Sequence, residues 1–176
     1  NEGRPLFVAG IDTVRKLGRF ILQAGAPELF ATLGTRIVRG RAFTAEDRLD
    51  TPPVVVVSEG MAKALWRGED PLGKCIRIDA DTEPCITVIG VAEEMRMRTL
   101  SDEREFSYYI PTAQYDAPGG YLYVRVRGDA SDYTETVRRQ LQRLMPGASY
   151  VTAMPLSKLV DPNMRSWKFG ATMFVA

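Results

Sequence analysis

Five carboxylates, Glu93, Glu94, Asp102, Glu103 and Glu105, fall within one short stretch of the sequence. Two carboxyls facing one substrate bond can divide acid and base work between them, so this run is the first place to look for chemistry. The chain contains no histidine. That removes Ser-His-Asp and Cys-His nucleophilic catalysis, imidazole bases and every His-containing metal site. Arg96, Arg98 and Arg104 interleave with the acids. Alternating charge of this kind describes a salt-bridged, solvated connection better than a catalytic pair. We therefore expect no catalytic, cofactor-binding or metal-ligating residues.

Gly68-Glu-Asp-Pro-Leu-Gly73-Lys74 repeats half of a phosphate-binding loop. Such a loop must follow a strand and open a helix, whose first amides hold the phosphates. Here a helix pattern precedes and a strand pattern follows. Cys75 stands where a magnesium-binding hydroxyl is needed, and Glu69 and Asp70 would repel the ligand. The segment reads as a turn.

Cys75 and Cys85 flank the turn residues Asp79 to Pro84, with Ile76 and Ile78 before them and Ile86, Val88 and Val91 after. This is a β-hairpin pattern. Folding it about Ala80 sets the two cysteines opposite each other, within disulfide range. A structural Cys75–Cys85 disulfide points outside the cytosol; the alternative is two free thiols in a reducing compartment.

The elements that must position these groups can be read from spacing. Arg19 to Ala24 and the β-branched Pro53 to Val57 are strands. Pro27 opens a short helix closed by Gly34, and an apolar stretch from Arg36 to Phe43 is closed by Gly40. Thr44 to Asp47 has the look of a helix start, and Ser58 caps a helix running through Met61, Leu65 and Trp66. Phe30 and Trp66 are core positions. Tyr108 to Pro111, Tyr121 to Arg127 and Tyr150 to Met154 read as strands. Asp132 caps a helix with the face Tyr133, Val137, Leu141 and Leu144, and Pro146-Gly147 stops it. Arg138, Arg139 and Arg143 lie on the outer part of that helix and could meet an acidic partner or lipid headgroups, although a solvated face is the plainer reading.

With 176 residues, 45% hydrophobic and 26% charged, the composition is that of a folded domain, and a net charge of +1 gives no overall field for nucleic acid. The sequence opens Asn-Glu-Gly rather than on Met, which suggests a processed product or excised fragment. Arg165, Trp167 and Lys168 precede the apolar Phe169 to Ala176. Interfacial anchors ahead of an apolar run are how a membrane span begins, and a C-terminal core element is the alternative.

The order of the segments resembles the MacB-like periplasmic domain of ABC-transporter permeases. It is carried by Leu29-Phe-x-x-Leu-Gly34, Arg39-Gly-Arg-x-Phe43-Thr-x-x-Asp47, Val54-Val-Val-Val-Ser-Glu59, Leu65-Trp-x-Gly-Glu-Asp-Pro-Leu-Gly-Lys74-x-Ile-x-Ile78, Val88-Ile-Gly-Val91 and Tyr109-Ile-Pro111. The tail Arg165 to Phe174 is similar to the approach to such a permease's second membrane helix. The likeness runs from about Arg19 to the C-terminus, is nearest to the duplicated orphan permeases of Acidobacteria, and lacks part of the usual N-terminal region.

The resemblance implies an α+β fold of two subdomains: a porter-like lobe from residues 1–46 and 118–165, an inserted sabre-like lobe from 47–117, and the start of a truncated transmembrane helix at 166–176. It implies a location on the periplasmic side of the bacterial inner membrane. It also implies a non-enzymatic role without cofactors, transmitting conformational change and docking substrate or adaptor during export. The implied partners are the permease's transmembrane helices, a cytoplasmic ATPase, a periplasmic adaptor protein and a second copy in a homodimer; nucleic acid is not among them. Two other readings stay open. One is a stand-alone extracytoplasmic module that binds peptide or lipid. The other is a carboxylate hydrolase, which would need two acids between Glu93 and Glu105 to converge.

Overall fold

The computed structural model describes residues 4–94, 105–115, 121–145, 147 and 150–158. The described residues up to Tyr123 form one compact unit, and those from Val124 onward belong to a second.

The first unit is built on a mixed sheet of seven strands: β1 (Leu6–Val8), β2 (Arg19–Gly25), β3 (Ile37–Gly40), β4 (Val54–Ser58), β5 (Cys75–Ile78), β6 (Ile86–Ala92) and β7 (Glu105–Pro111). The spatial order is β1-β5-β6-β4-β7-β2, and β3 pairs with the far end of β6. Four consecutive valines make β4 the centre, parallel to β6 and antiparallel to β7. Such a run has no polar face to leave in water, so both sides must be covered. Val55, Val56 and Val57 are fully buried.

Each face has its own helix. Successive strand residues point to opposite sides, so Val55 and Val57 join one cluster and Val54 and Val56 the other. α2 (Glu59–Leu65) covers the first face with Met61 and Leu65, while Trp66 follows at its end. Its cap is Ser58, whose Oγ accepts from the Met61 amide at 3.3 Å, as the sequence indicates. The same Oγ accepts from the Ser107 amide at 3.3 Å, tying the helix start to β7. α1 (Leu29–Leu33) covers the second face and ends on Gly34 in a left-handed conformation. Phe30 there meets Tyr109 edge-on with ring centroids 5.1 Å apart and Phe43 at 5.6 Å. Tyr108 and Tyr109 are wholly enclosed, and burial pushes both phenols up to about 12.

Several local expectations change. Thr44 to Asp47 forms a turn and not a helix, because the Asp47 side chain accepts from Thr44 N–H and Arg41 instead of leaving its acid at a helix start. β7 begins at Glu105, inside the charged stretch, since seven residues of β2 pair with it in parallel. Strands from the first 46 residues, β1, β2 and β3, therefore share one sheet with strands from 54–111. The sequence-based division set these stretches in different lobes. Arg96, Arg98, Asp102, Glu103 and Arg104 lie outside the described residues.

In the second unit α3 (Ala130–Leu144) is capped by Asp129, whose carboxylate accepts from the Ser131 amide at 2.8 Å. The expected cap, Asp132, sits instead in the first turn, where its charge suits the helix dipole. Neither Tyr121–Arg127 nor Tyr150–Met154 forms a strand ladder among the described residues. Alternation prepares a segment for pairing but does not supply the partner.

Candidate functional site

The three described carboxylates, Glu93, Glu94 and Glu105, bind separate partners. Glu93 accepts from the backbone and the Nε of Arg36, both at 2.9 Å, and these bonds hold its carboxyl below the usual range. Glu94 accepts from the Gly60 amide at 2.9 Å, in the first turn of α2. Glu105 lies 3.8 Å from Arg19 across the β2–β7 pair. Three acids near in sequence thus fasten three different elements. Among the described residues no group of three or more His, Cys, Asp or Glu side chains could hold a metal ion.

Gly68 to Lys74 is a turn between α2 and β5. Gly68 and Gly73 both have positive φ, which glycine adopts without a Cβ clash. The Leu72 amide donates to Asp70 at 3.1 Å, and Lys74 pairs with Glu69. The lysine is therefore engaged within its own turn, where a phosphate loop would need it for the ligand.

The hairpin pairs Ile76 with Ile86 and Cys75 with Thr87, so Cys85 stands diagonal to Cys75, not opposite it. The Cα atoms are 5.5 Å apart and a disulfide joins them. Cys75 is half-buried and Cys85 exposed. Opening the bond frees a short loop in the unfolded chain, which by loop-entropy reasoning costs about 3 kcal/mol. Cys75→Ser/Cys85→Ser is expected to lower the unfolding free energy obtained from urea curves by that amount. Alkylation of the untreated protein without reductant should add no mass, and an added mass would contradict the bond.

The strongest buried charge lies elsewhere. Asp47 is 5% exposed and receives a fork from Arg41, with Nη1 and Nη2 at 2.7 and 2.8 Å, and the Thr44 amide at 2.8 Å. The Arg41 hydrogen bonds first, then the Thr44 amide, hold its carboxyl below the ordinary value against the opposing effect of burial. A carboxyl depressed in the folded state contributes stability above its unfolded pKa and loses it as pH falls through the folded one. Acidifying from about pH 5 toward pH 2 should remove on the order of 1 kcal/mol through this group. In Asp47→Asn that part of the acid dependence should vanish from denaturation curves. Both partners were visible in the run Arg39 to Asp47, but nothing in the spacing distinguishes a side-chain fork from a helix start.

Exposed apolar side chains concentrate toward the C-terminal part of the described residues. Tyr121, Leu122, Val124, Tyr133, Leu144, Met145, Tyr150, Met154 and Leu156 are all exposed, whereas Val38 and Leu49 are the large exposed apolar residues before Tyr121 among the described residues. None of the described helices is long and apolar enough to cross a membrane. Among the described residues the arrangement supplies a packed sheet, pinned charges and contact surface, and no convergent reactive groups.

Macrolide export ATP-binding/permease protein MacB of Haemophilus ducreyi is 28% identical over 106 residues, covering 60% of this chain and 15% of that protein. The chain thus spans a small part of that curated relative. The periplasmic region of MacB from Actinobacillus actinomycetemcomitans shares the fold, with a TM-score of 0.63 at 18% identity over 94% of this chain and 72% of that one. The extracellular domain of the noncanonic ABC-type transporter YknZ from Gram-positive bacteria follows at 0.52 and 20% identity, over 76% and 69%. The model of the MacB-like periplasmic core domain matches residues 5–144. The chain therefore belongs to the MacB-like periplasmic core domain family of ABC-transporter permeases, on the periplasmic side of the inner membrane.

Proposed function

We propose that this domain is a non-catalytic coupling and docking element of a MacB/FtsX-type permease. Closure of cytoplasmic ATPase subunits would move membrane helices, and those helices would shift this domain against substrate or an adaptor protein. The observation that carries the reading is that the groups able to do chemistry already hold the fold: Asp47 on Arg41, Glu93 on Arg36, Glu94 on α2, and Cys75 on Cys85. Family membership and the basic-aromatic approach Arg165 to Lys168 ahead of an apolar run support it further. Partners in this reading are the permease's own membrane helices, an ATPase, an adaptor and a second copy of the domain.

A docking element should tolerate loss of its carboxylate charges. Glu93→Gln, Glu94→Gln and Glu105→Gln, introduced together into the intact permease, are expected to leave ATP-driven export within about twofold, since each amide keeps an acceptor. A loss of export beyond about a hundredfold with an unchanged melting curve would indicate acid-base catalysis instead.

A further inference from the structure

We propose that the outer face of α3 rests on an anionic lipid surface. The near-zero net charge hides an asymmetry: residues 1–123 hold fifteen Lys/Arg and eighteen Asp/Glu, whereas 124–176 hold eight and four. Two of these cations, Arg139 and Arg143, lie on α3 beside apolar side chains. α3 has no fully buried residue along its length. Tyr133, Gln140 and Leu144, spaced seven and four apart, form one stripe, with Tyr133 43% and Leu144 78% exposed. The neighbouring stripe is Thr136, Arg139 and Arg143. The Arg139 side chain is more than half exposed with only a 3.5 Å approach to Glu135, and Arg143 has no ion pair among the described residues. A tyrosine and leucine stripe beside arginines is the composition of a helix lying in a headgroup layer.

The choice of occupant rests on the permease reading in one respect. Eight residues lie between Lys158 and Trp167, the expected interfacial anchor, and the span fully extended reaches only about 30 Å. An acidic protein surface would also attract the arginines, but it would not need the adjoining Tyr133–Leu144 stripe or this short tether.

Co-sedimentation of the 176-residue chain with vesicles tests this. Binding should be at least tenfold tighter to phosphatidylcholine containing about one third phosphatidylglycerol than to phosphatidylcholine alone, and should weaken with salt. Arg139→Gln/Arg143→Gln should cost about 25-fold, at about fivefold per cation, and Tyr133→Ser/Leu144→Ser about tenfold or more, with unchanged thermal melts. Equal binding to both vesicle types, or no loss in either variant, overturns the proposal. So does retention on immobilised polyglutamate without vesicle binding, which would assign the face to an acidic protein. The assay needs no ATP turnover, so its failure would leave the coupling role standing.

Discussion

Val56→Asp is expected to leave the sheet-bearing unit unfolded at room temperature. Val56 is fully buried in the central strand, between Gly90 of β6 and Tyr109 of β7. Its cluster contains Phe30, Phe43, Val54, Ala92 and Tyr109, with no cation among them. An isolated carboxylate cannot remain ionised there, so it would take up a proton and still leave its polar atoms unpaired. Together with the lost packing this costs roughly 5 kcal/mol or more, against a total domain stability of about 5–15 kcal/mol. Val38→Asp, on a position 40% exposed in β3, should cost less than about 1 kcal/mol. Equilibrium urea curves should show a full transition for Val38→Asp and none for Val56→Asp. Equal, small shifts would mean that the two-sided core does not hold the sheet together.

Gly90→Val should be the next most damaging change, at roughly 3–5 kcal/mol. Gly90 faces Gly40 across the β3–β6 pair, beside the irregularity that lets Val55 pair with Val88 and Val56 with Gly90. A Cβ at Gly90 would lie far inside van der Waals contact with the Arg41 carbonyl oxygen. That obstacle is backbone, so no rotamer change relieves it. Arg41 is also the residue whose amide donates to Ile89 and whose guanidinium grips Asp47, so a shift there disturbs both. The urea midpoint of Gly90→Val should fall well below that of Gly73→Ala, whose Cβ meets nothing within 4 Å and which bears only the strain of positive φ. Comparable midpoints would contradict the close approach.

Where a segment carries its own signal, the sequence was readable. The valine run, the Ser58 cap, the Gly34 stop and the turn around Gly68 each depend on residues within one element, and each is found where the spacing puts it. What was not readable depends on distant chain. β1 has three residues, too few for a period, and exists because Leu6 to Val8 pair with β5. Glu105 belongs to a strand because Arg19 lies beside it, not because of its neighbours in the charged run. Tyr121 to Arg127 has the alternation of a strand without its ladder. The missing histidines excluded histidine-dependent catalysis and metal binding at once. The grip of Arg41 on Asp47 depends on the folded turn, since the same letters spell an ordinary helix start.

The central claim is that the domain moves and makes contacts while chemistry proceeds elsewhere. It is tested most directly in the intact permease, with the native Cys75–Cys85 bond kept and one new cysteine per domain at an exposed position, Leu49→Cys or Val38→Cys. Crosslinking between paired domains should change severalfold between the nucleotide-free state and ATP turnover at one or both positions. Identical yields in the two states, with ATP hydrolysis and export intact, would contradict coupling through this domain.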